Sequence, residues 1–368
     1  MAPQIFNSLL EYPIVVALLL LVMPAIRRPH LPGKLRWAED VVLAVALFGL
    51  VAYILPSQLW SGWTVASLAV LGASLAVAYL LSSRPAMLAL SVAVMMGFAF
   101  VNTGGSLYGE RTFFGVYEVY TEEYDRNVLV HGTTRHGSQN TDPATTMEPL
   151  TYFHRGSPIG QVFEGYGGSR SFGNVAVVGL GAGTLAAYGE EGQNFTFYEI
   201  DPEVVEIAED TELFTYLANS RANVEVETGD GRLEIQNAPD GGYDLIILDA
   251  FSSDAIPMHL MTREAAASYM EKLSEDGVIA FHITNRHFGL EPIIAGLAGE
   301  LGLSGLSQYD NSDDFAAGTD ASHWVVLTRD EANLAPLEGD GRWGPLDEEE
   351  PIVWTDDFSN ILSVFFWD

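Results

Sequence analysis

The chain has 368 residues, enough for two or three structural units, and a formal net charge of −32. Residues 1–102 carry a slight excess of positive charge, so the negative charge lies after them. A surface this acidic repels phosphate and excludes DNA or RNA as a partner. The absence of cysteine excludes disulfides and thiol nucleophiles. Lysine occurs only at Lys34 and Lys272, which indicates adaptation to high salt or, alternatively, an ordinary acidic domain.

Four apolar blocks open the chain and predict about four transmembrane helices. They are Tyr12–Ile26, Val41–Leu55, Val65–Leu81 and Ala86–Val101. The basic loops place residues 103–368 outside by the positive-inside rule, whereas the nucleoside ligand argued below is made in the cytosol. We give the cytosolic origin of the ligand more weight than the charge of the loops. The expected localisation is therefore the cell membrane, multi-pass, with a cytoplasmic catalytic domain.

The rest of the chain is predicted to be α/β, with short strands over 103–170 followed by alternating strands and helices over 171–330. The later strands are expected at Val175–Gly179, Phe195–Ile200, Val224–Glu227, Leu245–Leu248, Val278–Ile283 and Trp324–Leu327. Helices are expected near 183–190, 203–209, 262–273 and 290–301. The predicted domains are 1–102, 103–170, 171–330 and a tail, 331–368, whose residues 331–350 are expected to be a solvated acidic loop. This alternation is typical of a doubly wound parallel sheet, which binds ligands at the carboxyl ends of its strands.

The stretch that follows Ser171 carries the clearest site signal. An apolar strand ends in Gly179, Gly181 and Gly183, a small-residue helix start follows, and the next strand ends in Glu199. Glycines let the backbone approach a ligand, and the acid can bind both ribose hydroxyls. The unit therefore predicts a nucleoside site.

Acids also follow the next strands of the predicted sheet. Asp230 lies in GDGR, where a carboxylate can accept a hydrogen bond from an adenine amino group, and Asp249 follows the fourth strand with Asp254 five residues later. Asp201, before Pro202, is expected to be a helix N-cap instead. No carboxylate–histidine spacing typical of a metal site occurs, so no metal is expected.

Taken together, these motifs resemble the spermidine synthase family, specifically its membrane-fused branch. The resemblance covers roughly residues 110–330 through FFGVYEV, HGTTRHGSQ, VVGLGAGTLAAY, FYEIDP, GDGR and YDLIILDAFSSDAIPMHL. It implies an aminopropyltransferase fold, in which a small N-terminal β-domain sits on a methyltransferase-like Rossmann domain. It also implies a sulfonium nucleoside, S-adenosylmethionine or its decarboxylated form, as substrate.

The resemblance implies that Glu199 binds ribose, Asp230 the adenine and Asp249 the reacting amine. Carboxylates suit an amine substrate because they pair with ammonium groups and accept a proton, so Asp249 is the candidate base and Asp254 its charge partner. Asp254 has an alternative role as the cap of the helix after Pro257.

Further residues are candidates for the pocket. The resemblance implies that Gln139 lines it with Tyr152 close by, and His131 and His136 are either pocket groups or supports of their loop. Two later histidines are interpreted as structural: His259 and His282. Two acids of the tail motif WTDDFSN either reach the pocket or, as we expect, cap a terminal helix: Asp356 and Asp357.

Two departures from the family pattern leave alternatives open. Ala182 occupies the place of the family's aspartate that binds the free amine of decarboxylated S-adenosylmethionine, so the intact sulfonium is no longer repelled. The segment AFSSDAIP is longer than the family's acidic turn. The expected activity is aminopropyl transfer to a polyamine such as putrescine, releasing methylthioadenosine. The alternatives are a lyase or methyltransferase that uses intact S-adenosylmethionine, and a non-catalytic nucleoside-binding membrane sensor or transporter. A lipid membrane and a second copy in a homo-oligomer are further expected partners.

Overall fold

The computed structural model describes residues 106–366 except 133, 168–171, 251–255, 340 and 348–350. Before residue 106 it describes only positions 15, 19, 41–47, 49, 74, 77 and 88–91. The chain divides into two compact units, Met1–Gly105 and Ser106–Asp368.

The predicted membrane localisation is contradicted. No helix among the described residues is long and apolar enough to cross a membrane. The prediction of a multi-pass membrane protein with a cytoplasmic catalytic domain is therefore wrong, and the remaining residues of the four apolar blocks lie outside the described residues.

The second unit begins with a four-stranded antiparallel sheet in the order β1-β2-β3-β4. Its strands are β1 Ser106–Arg111, β2 Val116–Glu122, β3 Arg126–His131 and β4 Thr134–Asn140. Val119 of β2 lies opposite Leu129 of β3, and both side chains are fully buried. Because alternate residues of a strand face opposite sides, this pair directs one face of the sheet into the core.

An eight-stranded sheet forms the centre of the described part of the second unit. Its strands are β5 Asn174–Val178, β6 Asn194–Glu199, β7 Asn223–Thr228, β8 Tyr243–Leu248, β9 Leu273–His282, β10 Ser304–Asp310, β11 Ser322–Thr328 and β12 Gly344–Pro345. Their order is β12-β10-β11-β9-β8-β5-β6-β7. Strands β5 to β9 pair in parallel, whereas β11 is antiparallel to both β9 and β10. The order reverses between β5 and β8, which is where a doubly wound sheet opens a crevice for ligands.

Helices cover both faces of this sheet. They are α1 Pro158–Gly165, α2 Pro202–Glu209, α3 Gly231–Ile235, α4 Arg263–Lys272, α5 Glu291–Leu301 and α6 Ala335–Glu338. Successive residues of β5 enter different cores: Val175 and Val177 pack in one apolar cluster, and Ala176 and Val178 in the other. A strand buried on both faces explains its continuous apolar sequence. The predicted α/β class is confirmed, while its methyltransferase-like subclass and the division into four domains stay predictions.

The structure differs from the predicted elements at several places, and helix α1 lies in the region that was predicted to hold short strands. The helix expected near 183–190 is a 3-10 helix, Thr184–Tyr188. Strand β10 and helix α3 had no predicted counterpart, because SGLSQYD has little apolar character and α3 is only five residues long. The segment expected to be a solvated loop holds α6 and buries five of its described side chains: Asn333, Leu334, Leu337, Trp343 and Leu346. Their packing against the core outweighs the polar composition around them.

Candidate active site

A cavity of about 280 Å³ opens at the carboxyl ends of β5, β6, β7 and β8. One side, here called the carboxylate wall, comes from the loops after these strands and includes Gly179, Gly181, Glu199, Asp230 and Asp249. The other side, here called the aromatic wall, comes from the four-stranded sheet and includes Phe114, Tyr117, Leu129, His131 and His136. The cavity therefore brings together seven residues predicted for the site.

Two glycines shape the floor of the carboxylate wall. Gly179 has φ +101°, and a Cβ there would lie 2.2 Å from the carbonyl oxygen of Asp249. Gly181 has φ +54°, and its Cβ would lie 2.3 Å from the carbonyl oxygen of His136. Only glycine fits such close approaches of backbone to backbone. Gly183 does not line the cavity but precedes the 3-10 helix and packs against Leu217.

Glu199, the last residue of β6, is fixed by backbone donors. Its Oε2 accepts a hydrogen bond from the Leu180 N–H at 3.0 Å, and its Oε1 accepts one from the Asp201 N–H at 3.0 Å. Burial raises the pKa of the Glu199 carboxyl, although these two N–H groups favour the charged form. Each oxygen retains a lone pair, so the carboxylate can still accept hydrogen bonds from a diol.

Asp230 lines the cavity and also begins α3. Its Oδ1 accepts hydrogen bonds from the Arg232 and Leu233 N–H groups at 2.9 and 3.3 Å, and its Oδ2 lies 3.5 Å from His259 Nε2. His259 itself lines the cavity, in contrast to the structural role predicted for it. Asp201 is confirmed as an N-cap, since its side chain accepts a hydrogen bond from the Glu203 N–H.

Asp249 pairs with a histidine that the sequence analysis interpreted as structural. Its Oδ1 lies 2.5 Å from His282 Nδ1, and the two side chains are 9% and 7% exposed. His282 Nε2 in turn lies 2.6 Å from Thr284 Oγ1. The missed signal was positional: His282 ends β9 at the same sheet edge where the acids were sought.

The aromatic wall holds two neighbouring histidines. The rings of His131 and His136 are 5.8 Å apart, and Tyr117 packs 4.8 Å from His131. Burial, with a smaller contribution from His131, lowers the pKa of His136 to about 4, so its imidazole is neutral at pH 7. Burial also raises the pKa of the Tyr117 hydroxyl, with Asp201 and Glu199 adding to the shift. This wall thus presents neutral groups.

Two other predicted site residues are placed differently. Gln139 is buried away from the cavity, where its amide donates to the Thr146 carbonyl and accepts from the Thr215 N–H. Tyr152 does not line the cavity but stacks 4.6 Å from His282. Asp254 lies outside the described residues.

The tail acids do not reach the cavity either. Asp356 forms a bidentate ion pair with Arg232 at 2.7 and 2.8 Å, and the terminal 3-10 helix Ile361–Val364 is capped by Asn360. The capping role expected for Asp356 and Asp357 is therefore wrong, because Asn360, which directly precedes the terminal helix, caps it.

Comparisons with curated proteins match part of the chain. A stretch of 110 residues, 28% of this chain, is 39% identical to the polyamine aminopropyltransferase of Vibrio vulnificus (strain CMCP6). Another match, of 114 residues and 30% of this chain, is 36% identical to the N-terminal histidine N-methyltransferase of Emericella nidulans. The matches span only 36% and 19% of those relatives' lengths. No family model matches the chain.

Solved structures show a weaker similarity. A probable spermidine synthase from Corynebacterium glutamicum ATCC 13032 covers 69% of this chain and 97% of its own, with a TM-score of 0.46 and 16% identity. The spermidine synthase from Thermotoga maritima covers 72% and 85%, with a TM-score of 0.43 and 12% identity. A spermidine synthase in complex with the transition state analogue AdoDATO covers 69% and 83%, with a TM-score of 0.46 and 12% identity.

Proposed function

We propose that this protein is an aminopropyltransferase of the spermidine synthase type, which moves the aminopropyl group of decarboxylated S-adenosylmethionine to a polyamine such as putrescine. One observation carries the proposal. The cavity is lined by three carboxylates, Glu199, Asp230 and Asp249, while none of its described lining residues is lysine or arginine. Such a cavity favours cations. Both substrates of the proposed reaction are cations, and neither bears a carboxylate.

The reaction needs little more than positioning and one proton acceptor. The amine nitrogen attacks the carbon next to the sulfonium, the carbon–sulfur bond breaks, and its electron pair stays on sulfur, giving methylthioadenosine. The attacking amine must first lose a proton, and Asp249 is the proposed acceptor. Glu199 is proposed to bind the ribose hydroxyls and Asp230 the adenine amino group. The backbone at Gly179 and Gly181 leaves room for the nucleoside.

Local similarity supports the same class. The matched stretch is 39% identical to a protein named polyamine aminopropyltransferase, and this level of identity over 110 residues favours related chemistry at equivalent positions. The chain spans about a third of that relative's length, so the identity of the amine acceptor is part of the proposal.

A second candidate, methyl transfer or lysis of intact S-adenosylmethionine, is favoured by Ala182 and by the similarity to a histidine N-methyltransferase. Two features of the structure weigh against it. Ala182 is 1% exposed and is absent from the described cavity lining. The described lining also offers no permanent cation for the methionine carboxylate. We therefore place aminopropyl transfer first.

Product analysis distinguishes these activities. The purified full-length protein is incubated with decarboxylated or intact S-adenosylmethionine, each with and without putrescine, and the products are identified by mass spectrometry. Aminopropyl transfer predicts methylthioadenosine and spermidine from the decarboxylated form only when putrescine is present. Amine-independent methylthioadenosine from the intact form would instead establish lysis, and S-adenosylhomocysteine would establish methyl transfer. Asp249→Asn is the control for contaminating activity.

A further inference from the structure

The pair formed by Asp249 and His282 follows from the strand register. Leu248 of β8 lies opposite Phe281 of β9, so the next residues of the two strands, Asp249 and His282, are also neighbours. Asp249 lines the cavity, whereas His282 is absent from the cavity's described lining and is 7% exposed. Asp249 is the lining residue of this cavity to which His282 is hydrogen-bonded among the described residues.

Hydrogen bonds assign the tautomer of His282. A charged carboxylate only accepts hydrogen bonds, so His282 Nδ1 donates to Asp249 Oδ1, 2.5 Å away, and carries the proton of the neutral ring. Nε2 then accepts from the Thr284 hydroxyl, 2.6 Å away, whose oxygen accepts a hydrogen bond from the His323 backbone N–H at 2.8 Å. The chain of donors thus runs from the β11 backbone to the carboxylate.

Aromatic contacts fix the plane of the His282 ring. Tyr152 and Trp324 both stack with it, with ring centroids 4.6 and 4.7 Å away and interplanar angles of 20°. Trp324 is fully buried and lies opposite His282 in the β9–β11 register. Burial and then the charge of Asp249 raise the pKa of Tyr152 well above its usual range, so its hydroxyl stays protonated beside the carboxylate. The imidazole cannot rotate without disturbing this packing.

We propose that His282 is a positioning residue: held by Thr284 as the Nδ1–H tautomer, it orients the Asp249 carboxylate toward the cavity. The proton of the attacking ammonium is taken by a lone pair of the carboxylate that the hydrogen bond from His282 holds in place. This inference rests on the proposed function in taking Asp249 as the proton acceptor. The orientation itself holds for any cationic substrate.

Two matched pairs of variants test the proposal by steady-state kinetics. His282→Asn keeps a side-chain N–H near Nδ1 and His282→Leu removes it, while Thr284→Ser keeps the hydroxyl and Thr284→Val removes it. We expect His282→Leu to lower kcat about 30-fold with KM changed less than about threefold, because misorientation of a reacting group affects the transition state most. His282→Asn and Thr284→Ser should recover most of the loss. Equal losses in both members of either pair would overturn the proposal.

A double-mutant cycle tests whether Thr284 acts through His282. Thr284→Val should lower kcat about fivefold in the wild-type background and less than twofold in the His282→Leu background. If the effects of the two single substitutions on kcat multiplied in the double variant, Thr284 would act independently of His282, and the chain of donors would be contradicted. Thermal unfolding of each variant identifies losses that arise from a destabilised fold.

Nuclear magnetic resonance of ¹⁵N-histidine-labelled full-length protein gives a readout that does not depend on activity. The His282 signal, assigned by its loss in His282→Asn, should report a protonated Nδ1 and an unprotonated Nε2, and Thr284→Val should reduce this preference. A protonated Nε2 in the wild type would overturn the proposal. If the protein showed no aminopropyl transfer, the proposed function would fail while this measurement still decided the assignment of His282.

Discussion

The two walls of the cavity are built from different backbone and carry different chemistry. The carboxylate wall consists of loops at the ends of parallel strands, and its acids accept hydrogen bonds from backbone or histidine donors. The aromatic wall comes from an antiparallel sheet and presents neutral rings, including His131 and His136. The carboxyl ends of parallel strands converge at one edge of the sheet, where their loops bring charged side chains together. The face of an antiparallel sheet instead provides a broad surface. From this comparison we expect charge recognition on one wall and exclusion of water on the other.

The sharpest test of the comparison removes the charge from Asp249. We expect Asp249→Asn to lower kcat about 10³-fold, because a positioned general base contributes on this order. Binding of methylthioadenosine, measured by calorimetry, should change little, since the product bears no ammonium group. A variant that kept more than a tenth of wild-type kcat would remove Asp249 from the role of base.

The next effect concerns affinity rather than rate. Glu199→Gln should weaken methylthioadenosine binding about 10- to 100-fold, because a hydrogen bond to a charged group contributes about 1.5–3 kcal/mol. Glu206→Gln, on the exposed side of α2, is the matched control and should bind as the wild type does. Equal affinities of all three proteins in calorimetry would show that Glu199 does not contact the nucleoside.

On the aromatic wall the expected effect is on stability. The pKa of His136 is about 4 in the folded protein and about 6.5 when unfolded, so the unfolded state binds more protons between these values. This contribution to stability is therefore present above about pH 6.5 and is lost as the pH falls toward 4. Between pH 7 and pH 5 it amounts to about 2 kcal/mol.

Urea denaturation at the two pH values measures this term. His136→Asn should lose about 2 kcal/mol less than the wild type between pH 7 and pH 5. Tyr117→Phe, on the same wall, carries no group that titrates in this range and should follow the wild type. A His136→Asn variant with an unchanged pH dependence would contradict the buried, neutral state of this histidine.

The smallest expected effect lies outside both walls. The ion pair of Arg232 with Asp356 connects the tail to α3, whose N-cap is Asp230. Asp356→Asn should lower the free energy of unfolding by about 1 kcal/mol at most, because exposed ion pairs contribute little, and added salt should diminish the difference. Asp357→Asn is the matched neighbour and should be neutral. A large effect on kcat from Asp356→Asn would instead give the tail a part in the site.

Local sequence patterns were enough to predict most strands of the parallel sheet. Apolar runs predicted β5, β6, β8 and β9, and the acid or glycine at the ends of the first three predicted the cavity edge at which they converge. They could not predict β10, because a polar strand depends on its partners rather than on its own residues. The apolar blocks before residue 103 show the opposite failure, since hydropathy alone predicted a membrane localisation that the structure contradicts.

The amino-acid sequence by itself determined the α/β class, the glycine loop and the acids Glu199, Asp230 and Asp249, because these depend on local periodicity and on residues next to strand ends. Tertiary structure alone decided which groups face those acids. It turned Gln139 away from the cavity and placed His282 beside Asp249. Pairing across strands β8, β9 and β11 joins residues about 30 to 50 positions apart, and no local pattern encodes that register.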